Sequence, residues 1–370
     1  MVRGKQIKSE REEKKDKLSD MPDCVLYHIL SFVNFNEVVQ TSILSKRWEH
    51  IWKSVPTILL YCTQAMTILD FKNFRIFMSK ILSLRDKKAA LKTIDFKHHG
   101  GYVKASLLGK LISDAISHNV QQLSIYAETD INQLPPTILS PIFSSQTITS
   151  VKVSVYHKNK SGGRIMFPKS AINVPSLTRL YLVNIEFCAS GDEQVDPFSN
   201  MNRLSDLFIK YCTLEGAKTL HISSPTLSNL TIHSRDSSIN EIVLSTRNLS
   251  SFTFEGVPLL TLSGNGLAYV EQVYIDAYTM DDYSLEPPLM LLKWLQKFAH
   301  VQSLTVTANT LQVVSLIPDL MDMDHLSMGN LKSLIVKMKK DSSPIVPDGV
   351  MKFLLQNSPW AKVSITKHTS

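Results

Sequence analysis

Tandem histidines, scattered cysteines and a diglycine are the residues of this 370-residue chain whose types could carry chemistry, and their spacing argues against it. His98 and His99 are adjacent, so on a strand they point to opposite faces and cannot hold one metal ion there. Cys24, Cys62, Cys188 and Cys212 show no paired metal-ligand spacing and read as reduced thiols, so zinc is not expected. Gly162-Gly163 lies in a Lys/Ser/Asn-rich stretch without the following Lys-Ser/Thr of a phosphate-cradling loop, and reads as a turn. No Ser, Cys or carboxylate falls into a nucleophile or acid/base signature, so no enzymatic activity, metal or cofactor is expected. What the residues offer instead is non-covalent binding, concentrated in two places.

The first is residues 18–54. Asp20 reads as a helix N-cap followed by Pro22 in the first turn, with Val25, Leu26, Ile29, Leu30 and Val33 at helical spacing and Phe32 widening the stripe. Asn36 reads as the cap of a short second helix whose apolar side is Val38, Val39 and Ile43. Ser45 can cap a third, which carries Trp48, Ile51 and Trp52 along one side. A unit below about 40 residues cannot bury so much apolar surface alone, so a partner is implied, the alternative being three core helices of a larger domain. In the docking reading Leu26 and Trp48 are interface anchors, each worth about 2 kcal/mol.

These residues resemble the F-box. The resemblance rests on the Leu18…Met21-Pro22 opening, on Val25-Leu26…Ile29-Leu30, and on Leu44-Ser45-Lys46-Arg47-Trp48 followed by Trp52, with Val38 where many members carry Ala. It implies docking on the Skp-type adaptor of a cullin–RING ubiquitin ligase, through Leu18, Pro22, Val25, Leu26, Ile29, Leu30, Leu44, Ser45, Arg47, Trp48 and Trp52.

Composition suits a globular chain: 44% hydrophobic, 20% charged, formal net charge +7. The basic residues from Arg3 to Lys17 leave residues 1–17 at +3 and the remainder at only +4, so no phosphate-neutralising stripe and no nucleic-acid partner are expected. That leader reads as solvated and disordered, with a nuclear address as the alternative. No apolar run approaches the ~18 residues that span a bilayer, and no secretion signal follows the charged start, so a nuclear or cytoplasmic protein without membrane contact is expected.

The second place lies in the repeats. Residues 55–90 read as an apolar connector over 55–64 followed by an amphipathic helix around Phe74, Phe77, Met78, Ile81 and Leu82. From Leu91 to the end, an apolar residue, two others, an apolar residue, one other and a third apolar residue recur eleven times, from Leu91-Ile94-Phe96 to Trp360-Val363-Ile365. The steps of 21 to 31 residues lie within or just beyond the ~20–29 of leucine-rich repeats. A repeat whose strand cannot bury itself must stack on its neighbours, which predicts an α/β chain with an irregular solenoid and a curved parallel sheet over 91–370. Lys104–His118 and Leu289–Ala299 suit outer helices, and the middle repeats, at 21–23 residues, should be thinner there.

This half resembles the irregular leucine-rich repeats attached to F-boxes in plant families. Leu354-Leu355-Gln356-Asn357-Ser358-Pro359 is similar to the C-terminal segment of the FBD-type members, with Ser358 in place of the usual Cys. On the concave face Arg179, Tyr181, Phe208, Lys210 and Tyr274 are the candidate substrate contacts, since Tyr and Arg are enriched in interface anchors; the alternative is an exposed face that merely tolerates mixed residues. The whole is expected to be a non-catalytic substrate receptor of a Skp–cullin–F-box ligase, with cullin and a RING protein reached through the adaptor; the alternative is a scaffold that directs no ubiquitination.

Overall fold

Each triad places its second and third apolar residues two apart, and a strand so patterned presents one apolar face that only neighbouring strands and a covering layer can bury. The computed structural model describes residues 18, 20–62, 68–86, 88–129, 134–157, 164–168, 172–189, 194–235, 238–280, 284–320, 328–338 and 346–367. The basic leader and Gly162-Gly163 lie outside these residues.

Among the described residues twelve strands form one sheet, with every pair of neighbours parallel. The middle residues of the eleven triads fall on a single row: Ile94, Leu123, Val151, Leu180, Leu207, Leu230, Phe252, Val273, Leu304, Leu334 and Val363 stand side by side. The row begins one strand earlier, at Ile58. Residues 55–64, expected as a connector, contain the strand Thr57–Cys62 at the sheet's N-terminal edge. Val55, Ile58 and Leu60, all buried, are the same triad in a segment that the repeat count began too late to include.

Before the strand of each middle repeat, a hydroxyl ladder ties neighbour to neighbour. Thr149, Thr178, Ser205, Ser228 and Ser250 each donate to the backbone carbonyl of the equivalent residue one repeat back, at 3.0 to 3.2 Å. Gly256 closes one strand at φ 136°, where a Cβ would lie 1.7 Å from the carbonyl oxygen of Ser234, so only glycine fits.

The face behind the sheet is covered unevenly. Helices α1 (Asp23–Leu30) and α2 (Phe35–Gln40) precede the sheet, and α3 (Ile68–Leu84) and α4 (Ala105–Ser117) pack near its N-terminal strands. Helices α5 (Glu286–Lys297), α6 (Ala308–Ser315) and α7 (Asp348–Leu355) cover the C-terminal strands. Between them the middle repeats carry extended backbone that pairs into further parallel rows, one of three strands and one of four, and Ile165–Met166, Ile185–Cys188 and Gln194–Val195 show that repeats longer than 23 residues do so as well. A step of 21–23 residues leaves too little chain for a helix, and extended segments there satisfy their polar groups on one another. No helix among the described residues is long and apolar enough to cross a membrane.

The ladder and the inward row differ in weight. Phe252→Ala, at a fully buried position, is expected to lower the unfolding free energy by about 3–5 kcal/mol, and Ser228→Ala by about 1 kcal/mol, in urea titrations followed by circular dichroism. Equal losses would mean that packing does not dominate the stack.

Candidate functional site

In the N-terminal unit the helix begins at Asp23 behind Pro22, with no side-chain cap, so Asp20 does not fill that role. The second cap is Asn34 rather than Asn36: its Oδ1 accepts the Asn36 N–H at 3.3 Å. The third expected helix is instead a turn over 46–50 and a 3-10 segment, Ile51–Ser54; the Ser45 carbonyl accepts the N–H groups of Trp48 and Glu49. A short run with two bulky Trp side chains turned inward packs as separate turns more readily than as one exposed cylinder.

Burial divides the expected docking residues. Leu26, Leu30, Trp48 and Trp52 are buried in this chain's own core, together with Phe35, Val38 and Ile51. They support the unit from within, and the expectation that Leu26 and Trp48 are outward-facing anchors is corrected. Leu18, Pro22, Val25, Ile29, Leu44 and Ser45 are exposed. Val25, Ile29 and Phe32 share one side by their spacing, Phe32 being 71% exposed, and Ile43 at 86% stands beside Leu44. Arg47 turns inward: its Nη2 donates to the Met21 carbonyl and to Asp23 Oδ1, the latter at 2.7 Å, which pins the Pro22 loop to the third segment.

The unit is joined to the sheet by polar contacts as well. Asn34 Nδ2 donates to the Tyr61 carbonyl at 2.9 Å, on the first strand. Arg85, at the end of α3, donates through Nη1 to the Val55 carbonyl at 2.7 Å, and burial brings its pKa down to about 10.

On the open face of the sheet, Tyr181 and Phe208 lie on neighbouring strands with ring centroids 5.6 Å apart, and Phe208 meets His233 at 4.8 Å. Arg179 and Lys210 flank them on the same strands. Tyr274 does not join this group. It shares their row but stands three strands from Phe208, roughly 14 Å at ordinary strand spacing. It sits under Lys337, whose Nζ is 4.7 Å from the ring centroid, and burial with the Asp276 and Glu255 carboxylates pushes its hydroxyl up to about 12.

The structure adds Tyr211 and Arg235 to the first group. Tyr211 holds φ at 53°, a costly conformation for a tyrosine, just past the strand that carries Phe208 and Lys210. Its ring carries the Arg235 guanidinium at 4.6 Å on one contact and Lys210 Nζ at 5.1 Å on another. His233 Nδ1 approaches Glu255 Oε2 at 3.3 Å, but at an angle that makes no hydrogen bond. Burial lowers the His233 pKa against the opposing pull of Glu255.

The two adjacent histidines part, while Cys188 is brought close to two carboxylates. His98 is buried and His99 is exposed, its ring tilted against Tyr126 with centroids 4.5 Å apart. Cys212 is buried, which pushes its thiol up to about 12. Cys188 lies beside Glu186 and Glu215, and its Sγ donates to Glu215 Oε2 at 3.1 Å, a neutral thiol hydrogen-bonding a carboxylate.

The family model for the F-box domain matches residues 18–59. An F-box/LRR-repeat protein of Arabidopsis thaliana is 28% identical over 96% of this chain and 72% of its own length. A second from that plant is 26% identical over 95% of the chain and 70% of the relative. Residues 18–59 thus match an F-box, and nearly the whole chain is similar to plant F-box/leucine-rich-repeat proteins. An FBD-associated F-box protein of the same species is 29% identical over 60% of the chain, which spans only 51% of that relative. In the F-box the matched stretch runs on through Leu59, so it includes the start of the first strand. The buried Ser358 that replaces the usual Cys of the C-terminal segment donates its hydroxyl to the Met328 carbonyl.

Period-two reading found Tyr181, Phe208, Arg179 and Lys210 but passed over Tyr211 and Arg235, because both lie beyond the strand, where alternation no longer assigns a face. The depressed His233 pKa has a testable sign. Below its ordinary 6.5 the unfolded chain takes up the proton before the folded one, so the His233 contribution to stability is lost as pH falls. His233→Gln is expected to flatten the decline of the urea midpoint between neutral pH and about pH 5. An unchanged slope would place the acid sensitivity elsewhere.

Proposed function

We propose that this chain is the substrate-recognition subunit of a Skp–cullin–F-box ubiquitin ligase, with the F-box held by a Skp-type adaptor and the leucine-rich-repeat solenoid presenting a target protein. The observation that carries the reading is an F-box that keeps its Trp and Leu core for itself and leaves Val25, Ile29, Phe32, Ile43 and Leu44 exposed. Large apolar side chains in such number on a small unit are costly in water unless a partner covers them. The chain contributes proximity rather than chemistry: cullin and a RING protein, reached through the adaptor, bring the ubiquitin donor to lysines of the bound target.

The target is proposed to dock on the open face around Tyr181, Phe208, Lys210 and Arg179, with Tyr211 and Arg235 at its rim. Half-buried aromatic rings beside two cations give the low-entropy anchors that interfaces use.

Co-purification with a Skp-type adaptor tests the first part. An Ile43→Asp, Leu44→Asp double variant is expected to weaken the complex by about 2 kcal/mol or more, roughly thirtyfold in Kd, with the fold intact. Leu26→Ala acts differently and lowers the chain's own stability by about 2–5 kcal/mol. Full adaptor binding by the double variant would sink the assignment of these two residues, and no complex with the intact chain would leave a scaffold without ligase function. Replacing Arg179, Tyr181 and Phe208 together by Ala is expected to abolish ubiquitination of a captured target while adaptor binding stays unchanged; undiminished capture would move the site to the loops.

A further inference from the structure

Burial and charge conflict at one residue. Arg85, 7% exposed, is the only buried Lys or Arg among the described residues. A charge taken out of water is tolerated when hydrogen bonds and an opposite charge compensate it, and Arg85 has only part of this. Its Nη1 donates to the Val55 carbonyl at 2.7 Å, whereas Nη2, equally removed from water, finds no acceptor among the described residues. Asp86, next in the chain, turns its Oδ1 to the Lys88 backbone N–H at 2.9 Å, and burial lowers the Arg85 pKa further than Asp86 raises it. Elsewhere the chain meets such a need from within: Lys97 pairs with Asp95 at 3.1 Å and Lys110 with Asp114 at 2.6 Å.

Arg85 also lines an open cleft of about 550 Å³ between the end of α3 and the end of α4. Lys88, Lys92 and His118 share the lining, and Asp86 is its one carboxylate, so with His118 neutral the lining stands at +2. Lys88 and Lys92 are exposed and can turn to an incoming ligand. The segment that forms the cleft is sewn to the F-box and its junction with the sheet. The Asp86 N–H donates to the Lys53 carbonyl at 3.2 Å, and the Lys92 N–H to the Pro56 carbonyl at 2.8 Å.

We propose that this cleft binds a phosphate group, which meets Lys88, Lys92 and His118 and supplies the negative charge that Arg85 lacks. The charge selects phosphate over a carboxylate. A phosphate monoester carries about −1.5 to −2 at neutral pH and matches the lining, whereas a single carboxylate would balance half of it. Arg85 senses the group through the wall of the cleft, where a low dielectric keeps the attraction strong. An occupant there bridges α3, α4 and the segment tied to Lys53 and Pro56, and so stiffens the joint between the F-box and the sheet. The site stands apart from the exposed F-box residues and from the Tyr181–Phe208 face, and does not depend on the ligase reading. A free phosphate compound and a phosphorylated side chain present the same group, and the test separates them.

Inorganic phosphate is titrated into the full chain at matched ionic strength, with the phosphorus NMR linewidth and the urea midpoint as readouts. Saturable broadening is expected, with a midpoint that rises as phosphate is added. Lys88→Glu, Lys92→Glu, at two exposed positions, is expected to weaken binding at least about tenfold with the circular dichroism of the chain unchanged. Arg85→Met should reduce the phosphate-dependent rise to about half or less. Because Arg85→Met also loses the bond to Val55, the lysine variant carries the test alone if that chain does not fold. A blocked Ala-phosphoserine-Ala peptide that binds more tightly than inorganic phosphate assigns the site to a phosphorylated side chain, and weaker binding assigns it to a free phosphate compound. Acetate that binds as tightly as phosphate overturns the choice of ligand. Absent broadening, an equal midpoint rise in the intact and lysine-variant chains, or an undiminished rise in a folded Arg85→Met chain overturns the proposal, the second by reducing the effect to general salting.

Discussion

A strand with one apolar face is stable here only because the strand on either side carries the same face at the same height. The row from Ile58 to Val363 is that condition made continuous: each residue between those two ends is held between two others, and the layer behind closes it from water. Everything else follows from keeping this register. The hydroxyls from Thr149 to Ser250 add a further donor at carbonyls of the previous repeat that already accept backbone N–H groups. Toward the ends of the sheet helices such as α4 and α5 cover the row; in the middle repeats extended segments pair with each other instead.

The same condition makes the ends of the sheet special. At the start, the F-box supplies cover: its helices share one core with the first strands, and Arg85 and Asn34 tie the junction through backbone carbonyls. This has a functional side. An F-box fixed against the sheet holds whatever docks on it at a set distance from whatever docks on the open face, and proximity between two bound partners is useful only when the piece joining them is stiff. At the far end the row runs to Val363, which is 45% exposed where Leu334 beside it is fully buried.

The open face shows how binding groups can be placed without disturbing the core. Every second strand residue faces away from the inward row, so rings and cations such as Tyr181, Phe208 and Lys210 stand on a rigid support at fixed spacing. Tyr211 goes further. A tyrosine held at positive φ costs about 1–3 kcal/mol, and the register around it is what keeps it there.

Sequence alone determined the periodic parts. Eleven triads, their inward residues and the parallel stacking were legible because burial on one face forces alternation, and residues 18–54 resemble an F-box through Pro22, Leu26 and the run from Leu44 to Trp48. The strand Thr57–Cys62 was equally written in Val55, Ile58 and Leu60, but a single hit at the end of a series is indistinguishable from a connector until its neighbour is seen. Tertiary structure alone decided which side of each apolar residue met water. Leu26 and Trp48 look like anchors in a unit too small to bury them, and become core once the first strands and α3 pack against that unit. Arg47, expected as a contact for a partner, is also a contact within its own unit, to Met21 and Asp23. Tyr274 sits three strands away from the cluster it resembles, because distance across a sheet depends on strand order and not on residue type. Spacing along a chain specifies which residues share a face; only the packed neighbours specify whether that face is open.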